Sequence, residues 1–488
     1  KHMSNEVRAL EPKAIWENFA DLNEVPRPSK KEERVIQFMV DFGNKLGLET
    51  ATDKIGNIII KKPATEGMED RQTVILQSHV DMVHQKNNAT EFDFDKEGIK
   101  MIVDGDWVKA DGTTLGADNG IGVAAIMGLL ASSDIPHPAL EAMFTVDEET
   151  GMTGAKELDP SFYEGTILLN LDTEDDDEIS IGCAGGIDTN TSYEYETEDS
   201  KSDVVTYNVE LKGLMGGHSG MDIDKGRGNA NKMMARLLVE SPVQIMLHDM
   251  NGGGLRNAIP REAVATISVD SNDSEKFEGH VKTMAETFKV EYAPVETKID
   301  LSVTKTETPS KMVANHDKEA ILFALNAVFN GVFKMSLNFD NLVETSSSLA
   351  QVIIKDGSFE TKSLQRSSVE TTKDDVARTI RSVFDLLGAD VEQTGDYPGW
   401  EPNPDSSILK TMREMYEKRF NEKPNVMACH AGLECGILGT HLPNVDMISF
   451  GPNIRHAHSP DECVQISSVQ KFWGFLLEVL KETPKKTA

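Results

Sequence analysis

Apolar positions in the first 180 residues follow two spacings. Helical spacing predicts amphipathic helices over 12–24 and 30–46. Four short apolar runs predict strands: Ile55-Gly-Asn-Ile-Ile-Ile60, Thr73-Val-Ile-Leu-Gln-Ser78, Ala142-Met-Phe-Thr-Val146 and Thr166-Ile-Leu-Leu-Asn-Leu171. Near-continuous apolar runs of this length suit strands buried on both faces of a largely parallel sheet. Gly120 to Leu130, rich in small residues, reads as a buried helix between them. His79, Glu148, Glu149 and Asp172 follow these runs at once. An open α/β sheet gathers its ligands at that place, outside the carboxyl ends of its strands.

The pattern changes after Cys183-Ala-Gly-Gly186. Residues 190–203 are polar and acidic without core periodicity, and they predict a crossing into a second domain. Helices are predicted at Asn229–Val239 and Glu275–Phe288 with a strand at Ala263–Val269. A second set follows, with helices at Lys318–Phe329 and Lys373–Leu387 and a strand at Ala350–Ile354. This order suits two similar α/β halves, although their sequences are too dissimilar to establish a repeat. The segment 395–405, with Pro398, Pro402 and Pro404, marks the return crossing, after which a strand at Val445–Phe450 and a helix at Ser468–Leu480 rejoin the first domain. The expected organisation is a catalytic domain made of 1–186 and 400–488, with an inserted α/β lid over 187–399.

Composition narrows the partners. A net charge of -32 repels phosphate backbones and anionic membranes, so nucleic acid and membrane are not expected; solubility alone also accounts for such a charge. No apolar run approaches the roughly 18 to 20 residues of a membrane span. Lys1-His-Met-Ser-Asn-Glu lacks the pattern of a signal peptide, and its first three residues look like a cloning scar. Cys183, Cys429, Cys435 and Cys463 form no CxxC pair, which argues against a disulfide framework or a cysteine–zinc site and for a reducing cytoplasm.

The chemistry sits in five segments. His79 and Asp81, two apart at a strand end, share a side, so the carboxylate can hold the imidazole tautomer while the other ring nitrogen meets a metal. A structural histidine beside a solvated aspartate gives the same pattern. Asp118, before Asn119-Gly120, can project from a turn and bridge two cations, or can cap the helix that follows. In Asp147-Glu148-Glu149-Thr-Gly151 two adjacent carboxylates repel each other, and gathering them into a site needs cations. A solvated acidic turn is the alternative. If Glu149 binds metal, Glu148 points elsewhere and can take a proton from water. Asp172 stands where a strand stops, and His456 and His458 share a loop after a later one. Read together, five nitrogen and oxygen ligands could hold two zinc ions, which points to a hydrolase.

These segments resemble the dizinc aminoacylase and carnosinase type of metallopeptidase family. The resemblance rests on His79-x-Asp81-x-Val83, Asp118-Asn-Gly, Glu148-Glu149-x-Gly-x-x-Gly-Ala155, Asp172, Gly216-Gly-His218-Ser-Gly and His458-Ser-Pro-x-Glu462, in the family's order. The long insertion and His430-Ala-Gly-Leu-Glu434-Cys-Gly look most like its bacterial branch acting on aminoacyl-histidine dipeptides. The resemblance implies two zinc ions per chain, with cobalt as a substitute. His79 and Asp172 would bind one, Glu149 and His458 the other, and Asp118 would bridge. It implies that Asp81 orients His79, Glu148 is general base and then acid, and His218 polarises the scissile carbonyl in its own chain or across a dimer. Asn257 and Arg366 would bind the substrate carboxylate. The implied activity is hydrolysis of Xaa-His and other unblocked dipeptides, carnosine-like ones included, through a water bridged by zinc, in a cytoplasmic homodimer. The alternatives are an N-acyl amino acid amidohydrolase and a non-catalytic binding protein on the same fold.

Overall fold

The computed structural model describes residues 3–487, so two of the three residues read as a cloning scar lie outside it. The chain divides into two compact units: one runs to Gly182 and includes Pro402–Ala428 and Leu433 onward, and the other comprises Cys183–Glu401 and Cys429–Gly432. Among the described residues no helix is long and apolar enough to cross a membrane.

The first unit is built on a mixed eight-stranded sheet. At its centre Leu140–Thr145, Val74–His79, Ile167–Asn170 and Asp446–Ser449 lie side by side in parallel. Every residue of the first three is buried, as their unbroken apolar character requires. Antiparallel strands Ile58–Lys62 and Glu49–Thr52 extend one edge. The helix Ala117–Ala131 is buried from Ala117 to Leu130 and packs between Val74–His79 and the helix Lys13–Asn23. An apolar helix without a polar face can only sit there. Because the strands are parallel and in register, with His79 opposite Thr145 and Gln77 opposite Asn170, their carboxyl ends lie along one edge. A small antiparallel sheet of Met101–Asp104, Trp107–Ala110, Cys463–Gln465 and Ile454–Arg455 holds the loop that carries His458.

The second unit is a nine-stranded antiparallel sheet, in the order Asp300–Thr306, Val204–Lys212, Ala263–Asp270, Met246–Gly253, Val343–Lys355, Ser358–Ser367, Gly185–Glu194, Asp390–Tyr397, with Gly331–Met335 paired to Val343–Lys355. Helices Ala230–Val239, Ser274–Tyr292, Asn315–Ala327 and Glu370–Leu387 contribute to one apolar core on this sheet, through Leu237, Phe277, Ile321 and Phe384. Two strand-helix-strand-strand-helix-strand runs make it up, each with its last strand beside its first. They meet edge to edge where Met246–Gly253 pairs with Val343–Lys355. The first strand of one run, Gly185–Glu194, precedes the whole of the other in the chain.

Two local expectations differ from this arrangement. Residues 190–194, read as part of a crossing, belong to an interior strand. On the face that Tyr193 packs against the core, Thr189 and Thr191 are buried and hydrogen-bonded to Gln365 and Thr361, so its apolar alternation is weak. Residues 395–397, read as part of the return crossing, complete the strand Asp390–Tyr397, which is pinned where the buried Lys373 donates to Tyr397 O.

Candidate metal centre

The parallel strand ends bring His79, Asp118, Glu148, Glu149, Asp172 and His458 together. His79 is fully buried, with Nδ1 at 3.2 Å from Asp81 Oδ1 and Nε2 at 3.1 Å from Asp118 Oδ1. The same Nε2 lies 3.5 Å from both Glu148 Oε2 and Asp172 Oδ2. Across the cluster His458 Nε2 is 3.0 Å from Asp118 Oδ2 and 2.9 Å from Glu149 Oε2. Asp118 thus turns one oxygen to each imidazole, and no side-chain cap hydrogen bond starts its helix; the turn is made by Gly116 at φ +78°. His456 belongs to none of the three-residue groups at this centre that could hold a metal, whereas His458 does.

Surrounding groups fix each of these side chains. Asp81 accepts from Ser29 Oγ at 2.6 Å and from the backbone N–H groups of Glu148 and Glu149 at 3.0 and 3.1 Å. Asn119 Oδ1 accepts from His79 N, and its Nδ2 donates to Leu171 O, joining the ends of two parallel strands. Glu462 accepts from three backbone amides, Leu115, Gly116 and Asp118, at 2.9 to 3.0 Å, and so shapes the turn under Asp118. Glu434 accepts from Gln77 Nε2 and Thr145 Oγ1 beneath the centre. The sequence pattern assigns no role to Ser29, Asn119, Glu434 or Glu462. The two glutamates fall inside family motifs, and that is the only signal for them.

The electrostatics state what the cluster lacks. Burial pushes Glu148 well above the ordinary carboxylate range, with the charges of Glu149, Glu434 and Asp118 adding to it against His79. Asp172 is raised by burial and by Asp118, and Glu149 by burial above all. Hydrogen bonds to Asp118 and Glu149 lift His458 to about 11. Asp118 is held low despite its burial, by hydrogen bonds with His458 and His79. Three crowded carboxylates with raised proton affinity are a site that favours cations. Glu149 Oε1 is buried without a hydrogen-bond partner, which a native structure tolerates where an ion completes it. The donor set of imidazole nitrogen and carboxylate oxygen fits zinc and its neighbours. The residues therefore fit a divalent metal pair.

The other predicted residues lie in the second unit. Gly216 and Gly217, at φ +68° and +126°, make a turn that L side chains rarely adopt, and His218 follows it. His218 Nδ1 accepts from the backbone N–H groups of Gly220 and Met221, both at 3.0 Å. That leaves the proton on Nε2, which becomes a donor, and burial and Arg366 lower the pKa of the ring. Ser219 N donates to Asn257 O, which zips the loop holding the exposed Asn257 to the His218 turn. Arg366 is 4% exposed and donates through Nη2 to Ser219 Oγ at 3.2 Å, while its Nε has no partner.

His430, on the short segment that belongs to the second unit, is buried with Nε2 2.7 Å from Ser346 Oγ. Burial, then Arg366 and His218, hold it down at about 3. Its folded pKa lies below the free value, so its stabilising share is complete above pH 6.5 and is lost as the pH falls. Between pH 7 and 5 this amounts to about 2 kcal/mol. His430→Asn is expected to remove that slope, measured as the difference between urea unfolding free energies at pH 7 and 5; an unchanged slope would mean that His430 takes up a proton in the native state.

This arrangement, a mixed sheet with a two-histidine, multi-carboxylate cluster at the ends of its parallel central strands, defines a metallohydrolase. Residues 75–482 match Peptidase family M20/M25/M40, and the chain belongs to this family of metal-dependent peptidases. The chain is 42% identical over 484 residues to the cytosol non-specific dipeptidase of Escherichia coli (strain K12), covering 99% of this chain and all of that protein. The crystal structure of aminoacylhistidine dipeptidase from Vibrio alginolyticus superposes with a TM-score of 0.96 at 42% identity, over 99% of each chain. Aminopeptidase PepT from Bacillus cereus shares the fold at 16% identity, with a TM-score of 0.56 over 97% of this chain and 99% of that one.

Proposed function

We propose that this protein is a dipeptidase that works with two divalent metal ions, zinc by preference, on unblocked dipeptides, Xaa-His among them. The observation that carries the reading is Asp118: each of its oxygens faces one imidazole, with Asp172 beside His79 and Glu149 beside His458. His79, Asp118 and Asp172 would hold one ion, and Asp118, Glu149 and His458 the other. Bound zinc would supply Lewis acidity to the scissile carbonyl and acidify the attacking water.

The protein's own groups do the rest. Asp81 fixes the His79 tautomer through Nδ1–H, which leaves Nε2 as a ligand. Glu148, buried and with raised proton affinity, takes the water's proton on a carboxylate oxygen and returns it to the leaving amine. The Nε2–H of His218 donates to the carbonyl oxygen as charge develops there. Arg366 and Asn257 bind the substrate carboxylate, and Arg366 is suited to it as a buried guanidinium with an unspent N–H. The activities in the names of the Escherichia coli and Vibrio relatives support this reading, and the former's supports a cytoplasmic setting. A homodimer is the expected assembly, on the family resemblance alone.

The test is substrate length. Holding both ends of a dipeptide requires its carboxylate, and a hydrogen bond to a charged group is worth about 1.5 to 3 kcal/mol, roughly 10- to 150-fold. Ala-His and β-Ala-His are expected to be cleaved, and their amides and tripeptide extensions at least about ten-fold less well in kcat/KM. Arg366→Ala should narrow that gap by harming the dipeptide more than the amide. Equal rates on all three would move the reading to a general aminopeptidase, and a preference for N-acetyl amino acids to an amidohydrolase.

A further inference from the structure

The segment 23–32 carries no predicted function, yet it touches three ligand-bearing stretches from behind. Arg27 is 0% exposed although it is an arginine. Its Nη1 donates to Val80 O at 3.1 Å, between His79 and Asp81. Its Nη2 donates to Gly116 O and to Asn23 Oδ1, both at 2.9 Å. Asn23 in turn donates to Leu115 O at 3.0 Å, so two residues grip the turn that delivers Asp118. Ser29 Oγ reaches Asp81 Oδ2, and Glu32 Oε1 accepts from Asp147 N, the residue before the Glu148–Glu149 pair. Met82 N donates back to Arg27 O.

A buried guanidinium is expensive unless its charge and its donors are used. Here the terminal nitrogens donate to the carbonyls of Val80 and Gly116 and to Asn23 Oδ1, Nε has no hydrogen-bond partner, and the charge is balanced at longer range by Glu462, Asp81 and Asp118. Burial pulls the guanidinium down only to about 10, so it stays charged at neutral pH. Arg27 and Glu462 hold opposite sides of one turn: the arginine takes the carbonyl of Gly116, and the glutamate takes the amides of Leu115, Gly116 and Asp118. Gly116 and Gly120 leave room for this, since a Cβ at Gly120 would come within 2.8 Å of Arg27 Nη2.

We propose that Arg27 is a positioning residue of the metal centre, and that segment 23–32 is the brace that registers the His79–Asp81 strand end, the Asp118 turn and the Glu148–Glu149 turn before metal arrives. The brace acts on affinity for the ions and touches neither substrate nor ions itself. It rests on the metal-site reading given above.

The test is zinc titration of the metal-free full chain in competition with a chromophoric chelator. Wild-type protein is expected to bind zinc tightly, and failure to do so would sink the metal site itself rather than the brace. Loss of a group that orients a ligand costs 10- to 100-fold in metal affinity. Arg27→Met should therefore raise the zinc Kd by about 10- to 100-fold, Arg27→Lys by less, and Ser29→Ala by less again. Val479→Ala, a buried packing change in the last helix, should lower the melting temperature and leave the zinc Kd alone. Wild-type zinc affinity in both Arg27 variants, whatever their melting temperatures, would overturn the proposal. So would tighter binding, which would make Arg27 a charge that repels the ions. If Arg27→Met does not fold, Arg27→Lys and Ser29→Ala decide, and unchanged affinity in both counts against the brace.

Discussion

Glu148→Gln is expected to retain its metal ions and to lose about 10²- to 10⁴-fold in kcat, the share of a positioned general base. The two glutamates leave one turn and both approach His79 Nε2, but only Glu149 also reaches His458. Glu149 Oε2 sits 2.9 Å from His458 Nε2, and its other oxygen, 3.8 Å from His79 Nε2, is buried without a hydrogen-bond partner. Glu148 has no such imidazole in hydrogen-bond contact; its nearest is His79 Nε2 at 3.5 Å. Burial raises its proton affinity, opposed by His79 and reinforced by Glu149, Glu434 and Asp118. The amide of glutamine is the same size and cannot take a proton. Glu149→Gln should instead lose metal as well as rate, because it gives up an anionic donor. Elemental analysis beside kcat separates the two variants. Metal loss in Glu148→Gln with full occupancy in Glu149→Gln would show the roles reversed.

The first unit is legible in the sequence because its strands are buried on both faces. Val74-Ile-Leu76, Ala142-Met-Phe144 and Ile167-Leu-Leu169 announce themselves by composition, and residues placed just after such runs land on one edge once the strands are parallel. His79, Glu148, Glu149 and Asp172 therefore group together on the amino-acid pattern alone. His458, 286 residues beyond Asp172, joins them through a strand that pairs in parallel with Ile167–Asn170. The apolar run Val445–Phe450 and the motif around His458 are the signals of that return.

What escapes the sequence does so for physical reasons. Gly185–Glu194 buries threonines that are satisfied by Gln365 and Thr361 rather than by apolar contacts, so its apolar alternation is weak. The two related runs of the second sheet are hidden because one starts with that same strand and is interrupted by the other. Arg27 stands between prolines in Val25-Pro-Arg27-Pro28, a setting that suggests a surface turn. Its burial depends on Val80 and Gly116, about 50 and 90 residues away, and no local pattern encodes those partners. Glu462 likewise spends its carboxylate on amides more than 340 residues away.

Asp118→Ala is expected to abolish metal binding at both positions and to lower kcat/KM by about 10³-fold or more, since Lewis-acid stabilisation of developing charge is worth several kcal/mol. Among the described residues Asp118 links the two groups on which the sites are drawn, one with His79 and Asp172 and one with Glu149 and His458. Its two oxygens are already divided between them, at 3.1 Å from His79 Nε2 and 3.0 Å from His458 Nε2. His458→Ala removes a donor from one group only. It should leave close to one tightly held ion per chain, whereas Asp118→Ala leaves close to none. A helix-capping aspartate would behave differently, costing about 1 kcal/mol of stability and leaving both ions in place. Prolonged treatment with a strong chelator should reproduce the Asp118→Ala phenotype in wild-type protein, and added zinc or cobalt should restore the wild type but not the variant. Two retained ions in Asp118→Ala, or equal metal loss in the two variants, would remove Asp118 from the bridging position.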